Sequence, residues 1–241
     1  MLAICNHGVT EMMNNVIDHS EGSQALVSIT LDAAKVQLGI YDNGIGIFNK
    51  LKRDLNLEDE RHAILELSKG KLTTDPERHS GEGIFFTSRM FDEFYIHSGK
   101  LLFAHSEPAE DWLLETRDSD ILGTNVHMTI RSSSDRRPEE VFDKYTVDKE
   151  TYGFTRTHAP VALARYGNEN LISRSQAKRL LARFDRFEEV LLDFKDVQTI
   201  GQAFADEIFR VFKNAHPGVK LLWINENDSV RKMILRAQTA S

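Results

Sequence analysis

Hydrophobic residues follow two different rhythms along this chain, and these rhythms divide it into two regions. Near the start, apolar residues recur at helical spacing over residues 8–20, and runs at 27–31 and 36–40 then alternate apolar with polar positions. Helical spacing indicates a helix with one buried face, and alternation is typical of half-buried strands, joined here in a hairpin. The further elements predicted in this region are a helix near 83–90 and strands near 94–97, 101–105, 112–115 and 125–130. Helices on one face of a mainly antiparallel sheet are therefore expected.

Strands and helices alternate in the second region. This order predicts a small α/β domain with parallel strands, because parallel neighbours need a helical crossover between them. The predicted order is strand 161–166, helix 173–184, strand 190–194, a helix carrying Phe204 to Ala215, strand 221–224 and a last helix carrying Val230 to Ala237. The whole chain is thus expected to be α+β, with a sandwich of helices on an antiparallel sheet followed by the small α/β domain.

A change of composition separates the two regions. Residues 132–140 read Ser-Ser-Ser-Asp-Arg-Arg-Pro-Glu-Glu, which is typical of a linker. We predict a first domain over residues 1–131, a linker over 132–154 and a second domain over 155–241.

Charge and cysteine content exclude several classes of protein. The 241 residues carry 30 Lys and Arg against 37 Asp and Glu, a net charge of −7, which disfavours broad binding to nucleic acid. No apolar run approaches the roughly 20 residues that a membrane-spanning helix needs, and no secretory signal is evident. The single cysteine, Cys5, fits a reducing compartment. A cytoplasmic globular protein is expected.

Three polar residues share one face of the first predicted helix. Glu11, Asn15 and Asp18 fall within about 60° of one another at about 100° per residue. An apolar stripe with Val9 and Val16 lies opposite. The helix can therefore be buried on one side and present a carboxylate and a carboxamide to a ligand on the other. The alternative is an ordinary solvated face.

A second polar motif, Asp42-Asn43-Gly44-Ile45-Gly46, directly follows a predicted strand. Glycines two residues apart let the backbone turn sharply and approach a ligand closely. A carboxylate at the strand end is suited to accept from an exocyclic amino group such as adenine N6. Guanine has an acceptor at that place, and two facing acceptors cost about 1–3 kcal/mol. The alternative is a simple turn, since this composition is common in turns.

Two further glycine motifs complete the set. Ser80-Gly81-Glu82-Gly83 opens a predicted helix, where free N–H groups and the helix dipole suit a phosphate. Gly123-Thr124 stands before the last strand of the first region. Each motif by itself is weak evidence for a ligand site, but all of the motifs in this order are much more specific.

Together these pieces resemble the nucleotide-binding boxes of the GHKL ATPase superfamily, which includes gyrase, histidine-kinase catalytic domains, mismatch-repair ATPases and anti-sigma-factor kinases. The match covers roughly residues 1–131. The resemblance implies ATP and Mg²⁺ as ligands, Glu11 as general base, Asn15 as a Mg²⁺ ligand, Asp42 as the residue that reads adenine, and Thr124 as its support. It also implies that four glycines approach the nucleotide: Gly44 and Gly46 beside the base, Gly81 and Gly83 near the phosphates.

The polar stretch 48–80 would then be the ATP lid of that superfamily. One helix is expected near 58–68, and breaks such as Asp75-Pro76 favour a mobile loop. Candidates for phosphate contacts are Lys69, Lys71 and Arg78, and the alternative is that they are solvated surface side chains.

The chain departs from the superfamily in two respects. Only about seven residues precede the Glu/Asn helix, where the family has another helix, so a short form or packing by a partner is expected. The helix pair with a phosphoacceptor histidine is also missing, which argues against an autonomous sensor kinase. We expect His7, His19 and His62 to be solvent-facing or locally hydrogen-bonded.

The stretch from Val190 to Gly201 resembles a STAS-like family found fused to such ATPase domains, and STAS is the fold of anti-sigma-factor antagonists. Those antagonists carry a phosphorylatable serine where this chain has Gly201-Gln202-Ala203. Thr199 is only nearby, so regulation by that phosphorylation is not expected. The surface around Phe194 to Phe204 is expected to bind a partner, and the alternative is that these aromatics fill the core.

These inferences predict an ATP- and Mg²⁺-binding regulatory protein whose nucleotide state is read through a STAS-like module. Slow ATP hydrolysis or phosphotransfer to a protein remains open, as does a homodimer. The alternative is a catalytically silent protein-interaction scaffold. A protein partner in a regulatory pathway is expected, with no direct contact to nucleic acid or membrane. A DNA-linked clamp ATPase is disfavoured by the acidic balance.

Overall fold

The computed structural model describes residues 1–72, 81–106, 110–116, 121–147, 153–165 and 169–239. The chain forms two compact units, Met1–Phe142 and Asp143–Ser241. The division lies inside the predicted linker, and the domain bounds drawn from the sequence stay a prediction. Among the described residues, no helix is both long and apolar enough to cross a membrane.

A mainly antiparallel sheet forms the first unit, in the order β1-β2-β6-β3-β4-β5 over the described residues. Every neighbouring pair is antiparallel. The strands are β1 Ala25–Leu31, β2 Lys35–Asp42, β3 Glu93–Gly99, β4 Leu101–Ser106, β5 Glu110–Glu115 and β6 Ile121–Arg131. On β2, Val36, Leu38 and Ile40 are buried and Gln37 is exposed, which is the alternation of a sheet covered on one face.

Helices pack on the buried face of this sheet. They are α1 Leu2–His19, α2 Ile47–Asp54, α3 Glu60–Lys69 and α4 Gly83–Met90, and a fifth helix, α5 Pro138–Lys144, lies against α4. Local chemistry sets some of their ends: the Asp59 side chain accepts from the His62 N–H at the start of α3, and Gly70 ends it with a positive φ of 77°. The α+β class and the helix-on-sheet arrangement predicted from the sequence are confirmed.

Four details of the first unit differ from the prediction. Helix α1 begins at Leu2 rather than near residue 8, and its buried line runs through Ile4, Gly8 and Met12. Ile17, one of the apolar residues at helical spacing over 8–20, is 73% exposed. Gly8 lies so close to the Phe91 ring that a Cβ at residue 8 would come within 2.6 Å of it. Residues four positions before and after Gly8 lie on the same side of the helix, so this side is the buried face. Helix α2 was not predicted at all.

The fourth difference is the exposure of strand β1. It was expected to be half-buried, yet six of its seven residues are exposed. The strand pairs in register with β2, and α1 packs on β2. The apolar residues of β1 therefore lie beyond the cover that α1 gives to its neighbour.

A buried ion pair joins α4 to the far edge of the sheet. Arg89 on α4 donates to Asp111 Oδ2 on β5 at 2.7 Å, and His105 Nδ1 on β4 lies 2.7 Å from Asp111 Oδ1. Burial opposes ionisation of Asp111, but the charge of Arg89 and the hydrogen bond from His105 outweigh it and hold the pKa of this carboxyl below its usual value. Arg89 also lies over the Phe85 ring, with Cζ 3.8 Å from the centroid. The last turn of α4 is therefore fixed to the sheet.

The beginning of the predicted linker packs on the first unit. Helix α5 forms within it, and Phe142 lies against Phe86 with ring centroids 4.3 Å apart. Arg136 donates to Asp92 Oδ1 at 3.2 Å and to the Arg89 carbonyl at 3.0 Å. This stretch is consequently more ordered than its Ser-rich composition predicts.

In the second unit, the described strands form a parallel sheet in the order β7-β8-β9, as the alternation of strands and helices predicted. The strands are β7 Arg156–Pro160, β8 Glu189–Asp193 and β9 Lys220–Ile224. The helices are α6 Arg174–Leu181, α7 Gln202–Asp206, a π-helical segment Glu207–Phe212, α8 Lys213–Ala215 and α9 Asp228–Thr239, with short 3₁₀ turns at Val161–Ala164 and Phe184–Arg186. The strand predicted at 161–166 is wrong, because β7 ends at Pro160, whose fixed ring favours the end of a strand.

The aromatics expected to form a docking surface in this unit are buried. Phe194 is 1% exposed and stacks on Phe209 with ring centroids 6.4 Å apart, and Phe204 is fully buried. The alternative interpretation, that they fill the core, is therefore the correct one. A capping box at Ser173 and Gln176 starts α6.

Candidate functional site

A cavity of about 430 Å³ opens in the first unit between α1, α2, α4 and the ends of β2 and β6. Predicted residues from four separate segments of the sequence line it. These are Glu11, Asn15, Asp42, Gly46, Gly81, Gly83 and Thr124. Gly44 does not line the cavity but donates its N–H to Asp42 Oδ1 at 2.8 Å. Asp18, which shares the predicted face of α1, is exposed and lies outside the lining.

Helix α1 supplies two polar side chains, Glu11 and Asn15, one turn apart on the cavity side. Asn15 Nδ2 is buried and has no hydrogen-bond partner among the described residues. A buried amide group without a partner costs free energy, and such a group is rare in a folded protein. The Glu11 carboxylate lies against Gly83, at the first turn of α4. The two side chains thus project into a cavity that leaves at least one of their polar atoms unsatisfied.

The end of β2 holds Asp42 at the cavity wall, where it is 8% exposed. Asp42 is the register partner of Thr124 on β6. Burial raises the pKa of the Asp42 carboxyl, and hydrogen bonds from Gly44 and Thr124 oppose that rise. Thr124 Oγ1 in turn accepts from the Ile47 N–H at 3.0 Å. This chain of hydrogen bonds orients a buried carboxylate toward the cavity and fixes the start of α2.

Gly123 is the glycine whose backbone most clearly requires the absence of a side chain. Its φ is +73°, and a Cβ there would collide with the Asp42 carbonyl oxygen. Only glycine adopts this conformation without strain, and only glycine permits so close an approach of the two strands. Gly123 therefore sets the position of Asp42.

Asn43 connects the loop after β2 to the loop after α1. Its Oδ1 accepts from the N–H groups of Ser23 at 2.9 Å and Gln24 at 3.0 Å, and the Ile45 N–H donates to the Ser20 carbonyl at 2.9 Å. Ser20 to Gln24 directly follow α1, which carries Glu11 and Asn15. The loop after β2 is thus pinned to the loop after α1.

Four polar residues of the cavity lining were not predicted as site residues: Asn14, His19, Ser20 and Lys50. Lys50 Nζ lies 2.7 Å from Asp54 Oδ2 and 3.3 Å from Glu21 Oε1. The Lys50/Asp54 pair at a spacing of four was the available sequence signal for helix α2, and hence for Lys50. His19 was expected to be solvent-facing or locally hydrogen-bonded, and it lies partly exposed in the cavity lining.

Of the basic residues suggested as phosphate contacts, the two that the structure describes do not line the cavity. Lys69 is fully buried and its Nζ lies 2.6 Å from Glu66 Oε1 one turn earlier on α3. Lys71 is absent from the lining, and Arg78 lies outside the described residues. On both sides of the stretch 73–80, the Leu72 N–H donates to the Gly81 carbonyl at 3.0 Å. The residues that flank 73–80, in the last part of the predicted lid, are therefore hydrogen-bonded to each other.

In the second unit, Gly201 precedes α7 without a capping side chain. Gln202 and Ala203 follow in the first turn, so the start of this helix carries no hydroxyl group. Thr199 Oγ1 lies 3.4 Å from Ser229 Oγ, between the loop and α9.

Comparison with known proteins assigns both units. Residues 4–102 match the family described as a histidine kinase-like ATPase domain, and residues 176–231 match a STAS-like domain of unknown function. No curated protein shows significant similarity to the chain. Among solved structures, the chain is similar to the 43K ATPase domain of Thermus thermophilus gyrase B in complex with an aminocoumarin, at 18% identity and a TM-score of 0.33. That match covers 60% of this chain and 37% of the gyrase B chain. The chain therefore carries a histidine kinase-like ATPase domain followed by a STAS-like domain.

Proposed function

We propose that this chain is a regulatory protein that binds ATP with Mg²⁺ in the cavity of the first unit and transmits the nucleotide state through its STAS-like domain. The observation that supports this most is the convergence on one cavity of polar residues from α1, β2 and β6 with the glycines at the start of α4. The match to the histidine kinase-like ATPase family over residues 4–102 points to the same class of ligand.

The residues present fit an adenine nucleotide. A volume of about 430 Å³ lies within the usual range for small-molecule sites, about 300–1,000 Å³. Asp42 offers a buried acceptor whose neighbours already orient it, and an exocyclic amino group would satisfy it. The same position would leave the O6 acceptor of guanine unpaired, so adenine is favoured.

The residues also fit a Mg²⁺ ion. Asn15 lines the cavity and brings a carboxamide whose Oδ1 is a hard oxygen ligand, while its unpaired Nδ2 is a donor suited to a phosphate or water oxygen. A side-chain oxygen completed by phosphates and waters is the environment that Mg²⁺ prefers. When bound, Mg²⁺ would neutralise phosphate charge. The N–H groups at the start of α4, near Gly81 and Gly83, would then bind phosphate oxygens.

Glu11 is our candidate for the catalytic residue. Its carboxylate lies at the first turn of α4, on the side of the cavity where we expect the phosphates. From there it is suited to orient an attacking water and to take its proton. Slow ATP hydrolysis, or phosphotransfer to a protein partner, follows from this assignment.

A catalytically silent scaffold is the alternative. The observation in its favour is the lack of a hydroxyl group at Gly201-Gln202-Ala203, because the STAS-like domain then lacks the acceptor used by anti-sigma-factor antagonists. In that case nucleotide would act only as a conformational switch, and a protein partner would be recognised by shape.

Isothermal titration of the full chain tests the proposal. We expect ATP and a non-hydrolysable ATP analogue to bind, binding to strengthen with Mg²⁺, and GTP to bind far more weakly. An equal affinity for GTP would overturn the role of Asp42, and no binding of any adenine nucleotide would overturn the function. Release of phosphate from ATP, measured in parallel, separates the ATPase from the silent scaffold.

A further inference from the structure

We propose that strand β1 pairs with β1 of a second copy of this chain, antiparallel about a two-fold axis at Ser28. The two six-stranded sheets would then form one continuous sheet across the dimer. This surface lies at the edge of the sheet and uses no residue of the proposed nucleotide site, so it goes beyond the proposed function.

The first observation is exposure. The apolar side chains of β1 are 64% exposed at Leu26, 40% at Val27, 66% at Ile29 and 72% at Leu31. Isolated exposed apolar residues are normal, but Val27, Ile29 and Leu31 lie on one face of the strand and form a patch, while Leu26 lies on the other face. Such a patch in a folded protein indicates an interaction site.

The second observation is the free backbone edge. Within the described part of the chain, β1 pairs with β2 on one side and with no strand on the other, so it offers one row of N–H and C=O groups. Proteins usually protect such edges with charges, proline or bulges. The sequence Ala-Leu-Val-Ser-Ile-Thr-Leu contains none of these charges or prolines, and its pairing with β2 runs in unbroken register.

The opposite edge of the same sheet shows the contrast. Strand β5, Glu-Asp-Trp-Leu-Leu-Glu, carries three acidic residues. Of its leucines, Leu114 is 49% exposed. Asp111 is buried in its ion pair with Arg89, but the Glu115 side chain is 51% exposed, whereas β1 carries no charged residue, so β1 is the edge with less protection by charge.

The third observation identifies a second copy as the occupant. Antiparallel pairing about Ser28 places Val27 opposite Ile29 of the other chain and Ala25 opposite Leu31. Apolar thus meets apolar at these positions, and no charged residue of the strand faces a like charge. Cross-strand pairs of this kind are the stabilising unit of a sheet. The strand is self-complementary in this register.

The apolar face of the pair also continues the core of each unit. Val27 is the register partner of Ile40, and Ile29 of Leu38, and directly opposite residues in antiparallel strands share a face. Ile40 and Leu38 are buried under the helices. Joining two β1 strands would therefore bring two uncovered apolar margins together on the same side of the combined sheet.

Sedimentation equilibrium of the full chain tests this pairing. We expect wild type to form a dimer, and Val27→Glu and Ile29→Lys each to raise its dissociation constant about tenfold or more, because each symmetric dimer loses two apolar pairs. Leu114→Lys on β5 is the matched control and should leave the dissociation constant unchanged.

A mixture of the two variant chains gives the decisive result. In the proposed register, the introduced glutamate of one chain lies opposite the introduced lysine of the other, while Ile29 of the first still meets Val27 of the second. Equal mixing of the Val27→Glu and Ile29→Lys chains should therefore restore dimers. A wild-type chain that stays monomeric, variants that dimerise normally, or a mixture without rescue would each overturn the proposal.

Hydrogen exchange keeps the test valid if a variant does not fold. Amides of residues 25–31 in the wild-type chain should become more protected as its concentration rises through the dimer dissociation constant. Unchanged exchange over that range would overturn the pairing. Nucleotide titration reads the proposed function independently, so the two failures are distinguishable.

Discussion

The carboxylate of Glu11 lies so close to the backbone of Gly83 that a Cβ at residue 83 would collide with Glu11 Oε2. The carboxylate sits at the end of a flexible side chain, whereas Gly83 belongs to the first turn of α4. Helix α1 and helix α4 therefore meet at the point where the proposed base faces the proposed phosphate site. Gly83 sets how near the carboxylate approaches that helix terminus.

Substitutions of Gly83 and Gly123 by alanine should differ in their effect on stability. Gly83→Ala should leave the free energy of unfolding of the first unit unchanged or slightly raised, because Glu11 can rotate away and alanine favours a helix. Gly123→Ala should lower it by about 1–3 kcal/mol, because φ is +73° and the obstacle is the Asp42 main chain. Urea titration measures both. Equal losses would show that the Glu11 side chain is held as rigidly as the main chain.

Asp42→Asn should weaken ATP binding by about 1–3 kcal/mol, because the amino group of adenine would lose a charged acceptor. The same substitution should not destabilise the protein. The raised pKa of Asp42 means that its contribution to stability is present at low pH and is lost as pH rises through the folded pKa. At neutral pH the ionised Asp42 carboxylate therefore costs folding free energy because it is buried, and an uncharged asparagine removes this cost. Calorimetric titration together with thermal unfolding measures both effects, and unaltered ATP affinity would exclude Asp42 from the base site.

The same raised pKa predicts a pH dependence of binding. The carboxylate is the acceptor, so ATP affinity should fall as pH drops through the folded pKa of Asp42, which lies above the usual value for an aspartate. In Asp42→Asn this acid limb should disappear. A limb that persists in the variant would have to come from another group.

Much of the site was predictable because its chemistry is local. A carboxylate followed by glycines after a strand needs no knowledge of tertiary structure, and Asp42, Gly46 and Thr124 come together as the motif order implied. Lys69 shows the limit of this reasoning. Its sequence context is polar, yet α3 packs it in the interior beside Glu66, and burial of that kind depends on the elements that cover the helix.

The missed elements have physical reasons of their own. Helix α2 is short, and its buried residues are only Phe48 and Leu51, too few for a clear period. Strand β7 carries Arg156 and His158 between its buried residues, and these find partners on β8, at Glu189 and Asp193. Tertiary pairing thus decides β7, while α2 has too few buried residues to show a period. The hairpin of β1 was predicted, but its exposure depends on which strands α1 covers.

Glu11 and Asn15 should separate chemistry from metal dependence. Glu11→Ala is expected to retain ATP and lose any hydrolysis, because its carboxylate acts on the water rather than on the nucleotide. Asn15→Ala should instead remove the Mg²⁺ dependence of binding. Phosphate release and titrations with and without Mg²⁺ measure the two effects. A wild-type chain without turnover under any condition would favour the silent switch.

Asp111→Asn should destabilise the first unit by about 3–5 kcal/mol at neutral pH, because it leaves Arg89 buried without its countercharge. The lowered pKa of Asp111 means that its contribution is present above the unfolded pKa and is lost as pH falls through the folded pKa. The acid-side loss of stability should therefore be shallower in the variant. Asp135→Asn, at an exposed carboxylate, is the control and should change stability by less than about 0.5 kcal/mol.

The tryptophans make this measurement specific. Trp112 lies on β5 beside Asp111, and Trp223 lies on β9 in the second unit. In a Trp223→Phe background, fluorescence reports unfolding of the first unit alone. A variant as stable as wild type would show that Arg89 finds another acceptor, its contacts with Ser88 Oγ and the Ser68 carbonyl being the nearest.

The STAS-like domain should accept no phosphate on residues 201–203, because the first turn of α7 carries glycine, glutamine and alanine. After incubation with labelled ATP, peptides covering this turn should be unlabelled. If nucleotide state is nevertheless read by this domain, ATP should change hydrogen exchange across residues 190–212 in the full chain, with Asp42→Asn as the control that removes the change. Since Phe194 and Phe204 are core residues, the effect should appear in main-chain amides of β8 and α7 rather than through exposed aromatics. Exchange that is identical with and without ATP would show that the two domains are merely tethered.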